Sequence, residues 1–123
     1  MYNDERHLTK EQSHMSLRPY AQHVKATAKP GKRDELIQFL RQTAEEPLKN
    51  NPNCMQYLIC TTQEPDVIWV LELWKSKQAK DSDPANLSNM SPEEQERIQS
   101  QFMSLIVSMT DRTEMTVVGG KGA

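Results

Sequence analysis

The stretch Val67-Ile68-Trp69-Val70-Leu71-Glu72-Leu73-Trp74 is the longest nearly unbroken apolar run of the chain, rich in β-branched and aromatic residues and interrupted only by Glu72. It reads as a central strand. Side chains alternate along a strand, so Ile68, Val70, Glu72 and Trp74 share one face and Val67, Trp69, Leu71 and Leu73 the other. Both faces ask for cover, and a chain of 123 residues has helices enough for one of them. A second copy of the chain is the expected cover for the other face, with the odd residues at the seam and the even residues toward the helices. A carboxylate at position 72 of such a strand needs a hydrogen-bonding partner or a wet cavity.

Upstream, Cys54 to Thr62 reads as a strand with Met55, Tyr57 and Ile59 on one face and Cys54, Leu58 and Cys60 on the other. The short link Gln63-Glu64-Pro65-Asp66 predicts that it pairs with the 67–74 strand as an antiparallel hairpin. Before it, Pro30-Gly31 opens a segment whose Leu36, Ile37, Leu40, Ala44 and Leu48 fall on one helical face. This helix should end near Lys49, ahead of Asn50-Asn51-Pro52-Asn53. Between Pro19 and Lys29, Tyr20, Val24, Ala26 and Ala28 alternate with Ala21, His23, Lys25 and Thr27, the pattern of a first strand with one small-residue face.

Downstream, Lys75 to Lys80 reads as a short polar helix and Asp81 to Asn89 as a loop rich in side chains that bond their own backbone. Ser91-Pro92-Glu93-Glu94 has the form of a helix start: serine as cap, proline at the first helical position, glutamate three residues after the cap. Ile98, Phe102, Leu105, Ile106 and Met109 then continue at helical spacing, which predicts a helix to about Thr110-Asp111 and a last strand from Thr113 to Val118. The order strand, helix, strand, strand, helix, strand is the α+β, ferredoxin-like βαββαβ arrangement, an antiparallel sheet with both helices on one face. The open face predicts a homodimer by sheet-to-sheet packing.

Residues 1–18 show no apolar periodicity and read as a flexible arm, with Ser13-His14-Met15 resembling a vector junction; a swapped arm that grips a partner subunit is the alternative. Residues 19–118 form the domain and 119–123 a flexible tail. A net charge of -2 with scattered basic residues argues against nucleic acid as partner, and the lack of a long apolar run argues against a membrane span. A soluble, cytoplasmic protein is the expectation. Cys54 and Cys60 would lie roughly 20 Å apart in one extended strand, too far to bridge, and lack metal or redox spacing. No metal cluster, phosphate-cradling turn or nucleophile elbow is evident in the residue pattern.

Ala28-Lys29-Pro30-Gly31-Lys32, Asn53-Cys54-Met55-Gln56-Tyr57 and Ile68-Trp69-Val70-Leu71-Glu72-Leu73-Trp74-Lys75-Ser76, in this order and at these intervals, resemble the antibiotic biosynthesis monooxygenase family of dimeric α+β barrel proteins. The resemblance spans roughly residues 20–118 and implies a dimer and cofactor-independent oxygenation of a small aromatic, quinol or phenol, through its anion. Relatives usually carry a histidine nine residues past the tryptophan of Glu-x-Trp; here Asp83 stands at that position, and His7, His14 and His23 lie elsewhere. Haem-degrading relatives need that histidine for iron, so the resemblance does not extend to haem breakdown.

Trp74 is then a candidate to stack on an aromatic substrate, or a core anchor. Glu72 is a candidate general base, or a structural partner tying strand to helix. Asp83 and His23 are further candidates for acid-base work, and Tyr57, Asn86 and Phe102 for substrate binding, each with an ordinary turn, core or surface role as the alternative. The competing reading for the whole chain is a non-catalytic dimeric ligand-binding or stress-related module of the same fold, motivated by Asp83 and by the polar 75–96 segment.

Overall fold

The computed structural model describes residues 18–122. The expected arm up to position 17, its junction-like tripeptide and Ala123 lie outside the described residues. Four strands form one antiparallel sheet: β1 (Tyr20–Ala28), β2 (Cys54–Thr61), β3 (Val67–Trp74) and β4 (Ile106–Thr116), in the spatial order β2-β3-β1-β4. The 67–74 stretch is indeed central, between β2 and β1. Helix α1 starts as Arg33–Leu40, widens into a π segment at Arg41–Glu45 and closes with one turn at Glu46–Leu48. Two further helices, α2 (Lys77–Asp81) and α3 (Pro92–Leu105), flank a loop that contains a 3₁₀ turn at Leu87–Asn89. The arrangement is the α+β, ferredoxin-like βαββαβ fold, with α2 added.

The core forms where the even face of β1 and β3 meets the helices. Val24, Ala26, Ala28, Ile68 and Val70 are buried with Leu36 of α1, and Phe102 and Leu105 of α3 pack against them. Fully burying a side chain such as Leu36 or Ile68 is worth about 1.5–3 kcal/mol. The small side chains of Ala26 and Ala28 let the two helices lie close to the sheet. Phe39 of α1 and Phe102 of α3 stack with ring centroids 5.9 Å apart, joining the helices over that floor. The hairpin turn is fastened to the start of α1: Asp66, at φ 62, accepts from Ala28 N–H at 2.7 Å through its backbone and from Gly31 N–H at 3.0 Å through its carboxylate. Gly31 itself has φ 76, a conformation that glycine adopts without strain.

The helix start at Ser91-Pro92 forms as expected, with Ser91 Oγ accepting from Glu94 N–H at 3.3 Å. The end of α3 does not. It stops at Leu105, and Ile106 to Met109 belong to β4, whose Ile106 pairs with Ala28 and Met109 with Ala26. Helical spacing through Met109 was fortuitous, because β-branched Ile106 and Val107 suit a strand and the free edge of β1 offers them backbone partners. Strand β2 also departs from the expected alternation. A bulge between Cys54 and Gln56 lets Cys54 pair with Trp74 and Gln56 with Leu73, so Cys54 turns to the helix side and packs on the Tyr20, Leu48 and Trp74 cluster. It does not share a face with Leu58 and Cys60. Both cysteines are free.

Among the described residues the odd face carries no helix. Leu58, Leu71 and Met115 are 46%, 38% and 42% exposed there, and they line a shallow apolar groove of about 220 Å³.

Candidate active site

A polar row crosses the helix-covered face of the sheet. The registers place Tyr57 beside Glu72, Glu72 beside Gln22 and Gln22 beside Glu114, so β2, β3, β1 and β4 each give one polar residue to the same line. Glu72 is held from two sides: Trp74 Nε1 donates to its Oε1 at 3.0 Å and Gln22 Nε2 to its Oε2 at 3.2 Å. Gln22 is 5% exposed. The Tyr20 hydroxyl lies 3.0 Å from Gln22 Oε1 and 2.6 Å from Glu114 Oε1; with one proton it donates to the carboxylate, the shorter and charge-assisted bond. Lys77 Nζ stands 3.8 Å from the same oxygen.

Above this row the helices leave space. One cavity of about 200 Å³ is lined by Tyr57, Glu72 and Trp74 of the sheet, Ala44 and Leu48 of α1, Lys80 of α2, and Asp83 and Asn86 of the following loop. The π segment widens α1 by one residue just where Ala44 meets the cavity, an irregularity often found at functional sites. A second cavity, about 210 Å³, shares Tyr57, Glu72 and Lys80 with the first and runs to Phe102, Met109 and Arg112. Each is sized for a small molecule rather than a drug-sized one.

Burial raises the Tyr57 phenol well above its ordinary range, and the nearby Glu72 charge adds to the effect. It therefore stays protonated and able to donate to an anion. Burial also pushes the Cys54 thiol up, to about 11, again with Glu72 contributing. Glu114 moves the other way, held below the usual carboxylate range by the Tyr20 hydrogen bond and then by Lys77.

Of the residues singled out in the sequence, Tyr57, Glu72, Trp74, Asp83 and Asn86 meet at one cavity, and Phe102 lines its neighbour. The wall beside Trp74 comes from α1 and the loop. Asp83 is 8% exposed and its Oδ1 accepts from Asn51 at 3.1 Å, which ties the loop to the end of α1. Asn86 caps the 3₁₀ turn, accepting from Ser88 N–H at 3.1 Å. His23 is not brought to the cavity: it lies on the outer face, edge-on to Trp69 at 5.5 Å. Glu72 ties strand to strand through Gln22, where a tie from strand to helix was expected. Gln22, Lys80 and Arg112 escaped the sequence reading. Gln22 had a signal, a polar residue at an inward position between Tyr20 and Val24. Lys80 and Arg112 had none, since both sit in segments that read as ordinary polar surface.

Among the described residues no helix is long and apolar enough to cross a membrane. No curated protein matches the chain. Solved structures do: a protein from Chloroflexus aurantiacus J-10-fl, assigned to the antibiotic biosynthesis monooxygenases, is 30% identical over 85% of this chain and 97% of its own, with a TM-score of 0.65. A protein of the same assignment from Caulobacter crescentus CB15 has a TM-score of 0.67 at 15% identity, covering 89% of this chain and 99% of its own. Rv0793 from Mycobacterium tuberculosis has a TM-score of 0.64 at 16% identity, covering 85% and 99%. These last two share the fold. Residues 19–82, more than half of the chain, match the profile of the antibiotic biosynthesis monooxygenases, and they contain the whole β1-α1-β2-β3 unit with Glu72 and Trp74. The chain belongs to the antibiotic biosynthesis monooxygenase family.

Proposed function

We propose that this protein oxygenates a small aromatic substrate of the phenol or quinol type, using dioxygen and no cofactor, in the cavity over Glu72. The observation that carries the reading is the Glu72 carboxylate, fixed by Trp74 and Gln22, lining the same cavity as the half-buried, protonated phenol of its strand partner Tyr57. Each Glu72 oxygen keeps a lone pair beyond its one hydrogen bond. Glu72 takes the phenolic proton, and Tyr57 donates to the oxyanion that forms. The anion delivers electron density to a ring carbon, which bonds to dioxygen. The resulting peroxide takes up the proton from Glu72. Heterolysis of its O–O bond, with loss of the proton on that ring carbon, leaves a new carbonyl and releases water. One phenol and one dioxygen become one quinone and one water, with the substrate as sole electron donor. The ring of Trp74 and the side chains of Ala44 and Leu48 supply the apolar wall.

The same reading pairs two copies through the outer face, where Leu58, Leu71 and Met115 are exposed. An oxygen electrode with a panel of phenols and quinols tests the chemistry. Uptake above the buffer rate that disappears in Glu72→Gln is expected; no uptake with any member of the panel would overturn it.

A further inference from the structure

The second cavity has an asymmetry of charge that the reaction itself does not use. Its floor is the Glu72 carboxylate, already held by two donors, while its rim carries two cations, Lys80 from α2 and Arg112 from β4. Neither cation has a carboxylate within 4.0 Å among the described residues. Glu114 senses both, but its own carboxylate is engaged by Tyr20 at 2.6 Å and Lys77 at 3.8 Å.

Arg112 reaches this cavity because of a local defect in β4. The pairing jumps from Thr110 opposite Lys25 to Thr113 opposite His23, so Asp111 and Arg112 together oppose Val24. Asp111 takes φ 55 to make the bulge. With strict alternation from the inward Met109, position 112 would point away from the helices; the extra residue reverses the phase, and Arg112 lines the inner cavity beside Met109. Non-glycine residues with such φ are uncommon, and a bulge that re-aims one side chain at a cavity is a recurring device.

We propose that Arg112 and Lys80 form an anion clamp, and that the substrate is an aromatic acid whose ring lies over Glu72 and Tyr57, which the two cavities share, while its carboxylate meets the two cations. The planar guanidinium of Arg112 matches a carboxylate with two parallel N–H donors, and Lys80, shared by both cavities, adds a mobile charge. The inference rests on the oxygenase reading for the position of the ring, but it concerns binding and is tested apart from turnover.

Isothermal titration calorimetry with 2,5-dihydroxybenzoate, its methyl ester and hydroquinone, at neutral pH and low salt, provides the test. The free acid should bind at least about tenfold more tightly than the ester, and added salt should narrow the gap. Arg112→Gln and Lys80→Gln, both at partly or fully exposed positions that leave the core intact, should each reduce the preference, and together abolish it. Equal binding of acid and ester, no binding of either, or a preference that survives the double variant would overturn the proposal. Acid-selective binding without oxygen uptake would remove the oxygenase reading and leave the clamp; uptake with neutral quinols and no acid preference would do the reverse.

Discussion

The indole N–H of Trp74 donates to Glu72, two residues back along the same strand, at 3.0 Å. Residues two apart on a strand share a face, so this contact is local and forms as soon as β3 is extended. It explains how a residue only 2% exposed can be both a core anchor and part of a site: its ring fills the cluster with Tyr20 and Leu48, and its one polar atom aims the carboxylate. Trp74→Phe keeps most of the ring and leaves Glu72 Oε1 without its donor. Denaturation in urea should show a loss of about 1–3 kcal/mol. Glu72→Gln should keep the fold by circular dichroism and lower turnover by about 10²–10⁴.

Ser91 caps α3 with a single hydrogen bond to Glu94 N–H. Ser91→Ala removes it with no change of packing, and stability should fall by about 1 kcal/mol, or roughly 4 °C in thermal midpoint. An unchanged midpoint would mean that water caps this helix equally well.

Cys54 has its thiol raised from 9.0 to about 11 by burial first and by Glu72 and Asp83 next. At pH 8 it should hold about 100-fold less thiolate than an unperturbed cysteine, so alkylation by iodoacetamide should be slow in the native state and become fast on unfolding. Mass spectrometry of the Cys54 peptide reads both rates.

Glu114 is depressed by the Tyr20 hydrogen bond and by Lys77. A carboxylate whose folded value lies below its unfolded value adds stability that is present above the unfolded value, near 4.5, and is lost as pH falls through the folded one. Between roughly pH 5 and pH 3 the stability of the native sequence should therefore decline more than that of Glu114→Gln. The difference should be small, because Glu114 is exposed.

Leu71 lies on the outer face at 38% exposure. Leu71→Asp leaves the helix-side core untouched, and it should shift sedimentation from a dimer to a monomer. A native protein that sediments as a monomer would remove the proposed pairing.

Much of the fold was legible because period two and period three-and-a-half are hard to confuse over long runs. Val67 to Trp74 announced its strand, and Leu36 to Leu48 its helix. The failures share one cause. The β2 bulge at Cys54, the β4 bulge at Asp111 and the switch from helix to strand at Ile106 are each changes of phase, and a change of phase depends on pairing with another strand as well as on the residue itself. The site followed the same rule. Glu72 and Trp74 were visible as anomalies in an apolar strand, whereas Arg112 becomes part of a cavity only through the register of its neighbour.

The sheet order also decides where the chain comes and goes. Tyr20 pairs with Thr116, and Val117 N–H donates to the Pro19 carbonyl at 2.8 Å, so β1 enters and β4 leaves at one corner of the sheet. The path is almost a closed ring. A bridge of a few residues could join Pro19 to Val117, with new ends opened in the exposed Thr62 to Glu64 turn, and the Glu72 cavity would keep every wall. The chain thus enters the domain at Pro19 and leaves it at Val117 through the same corner.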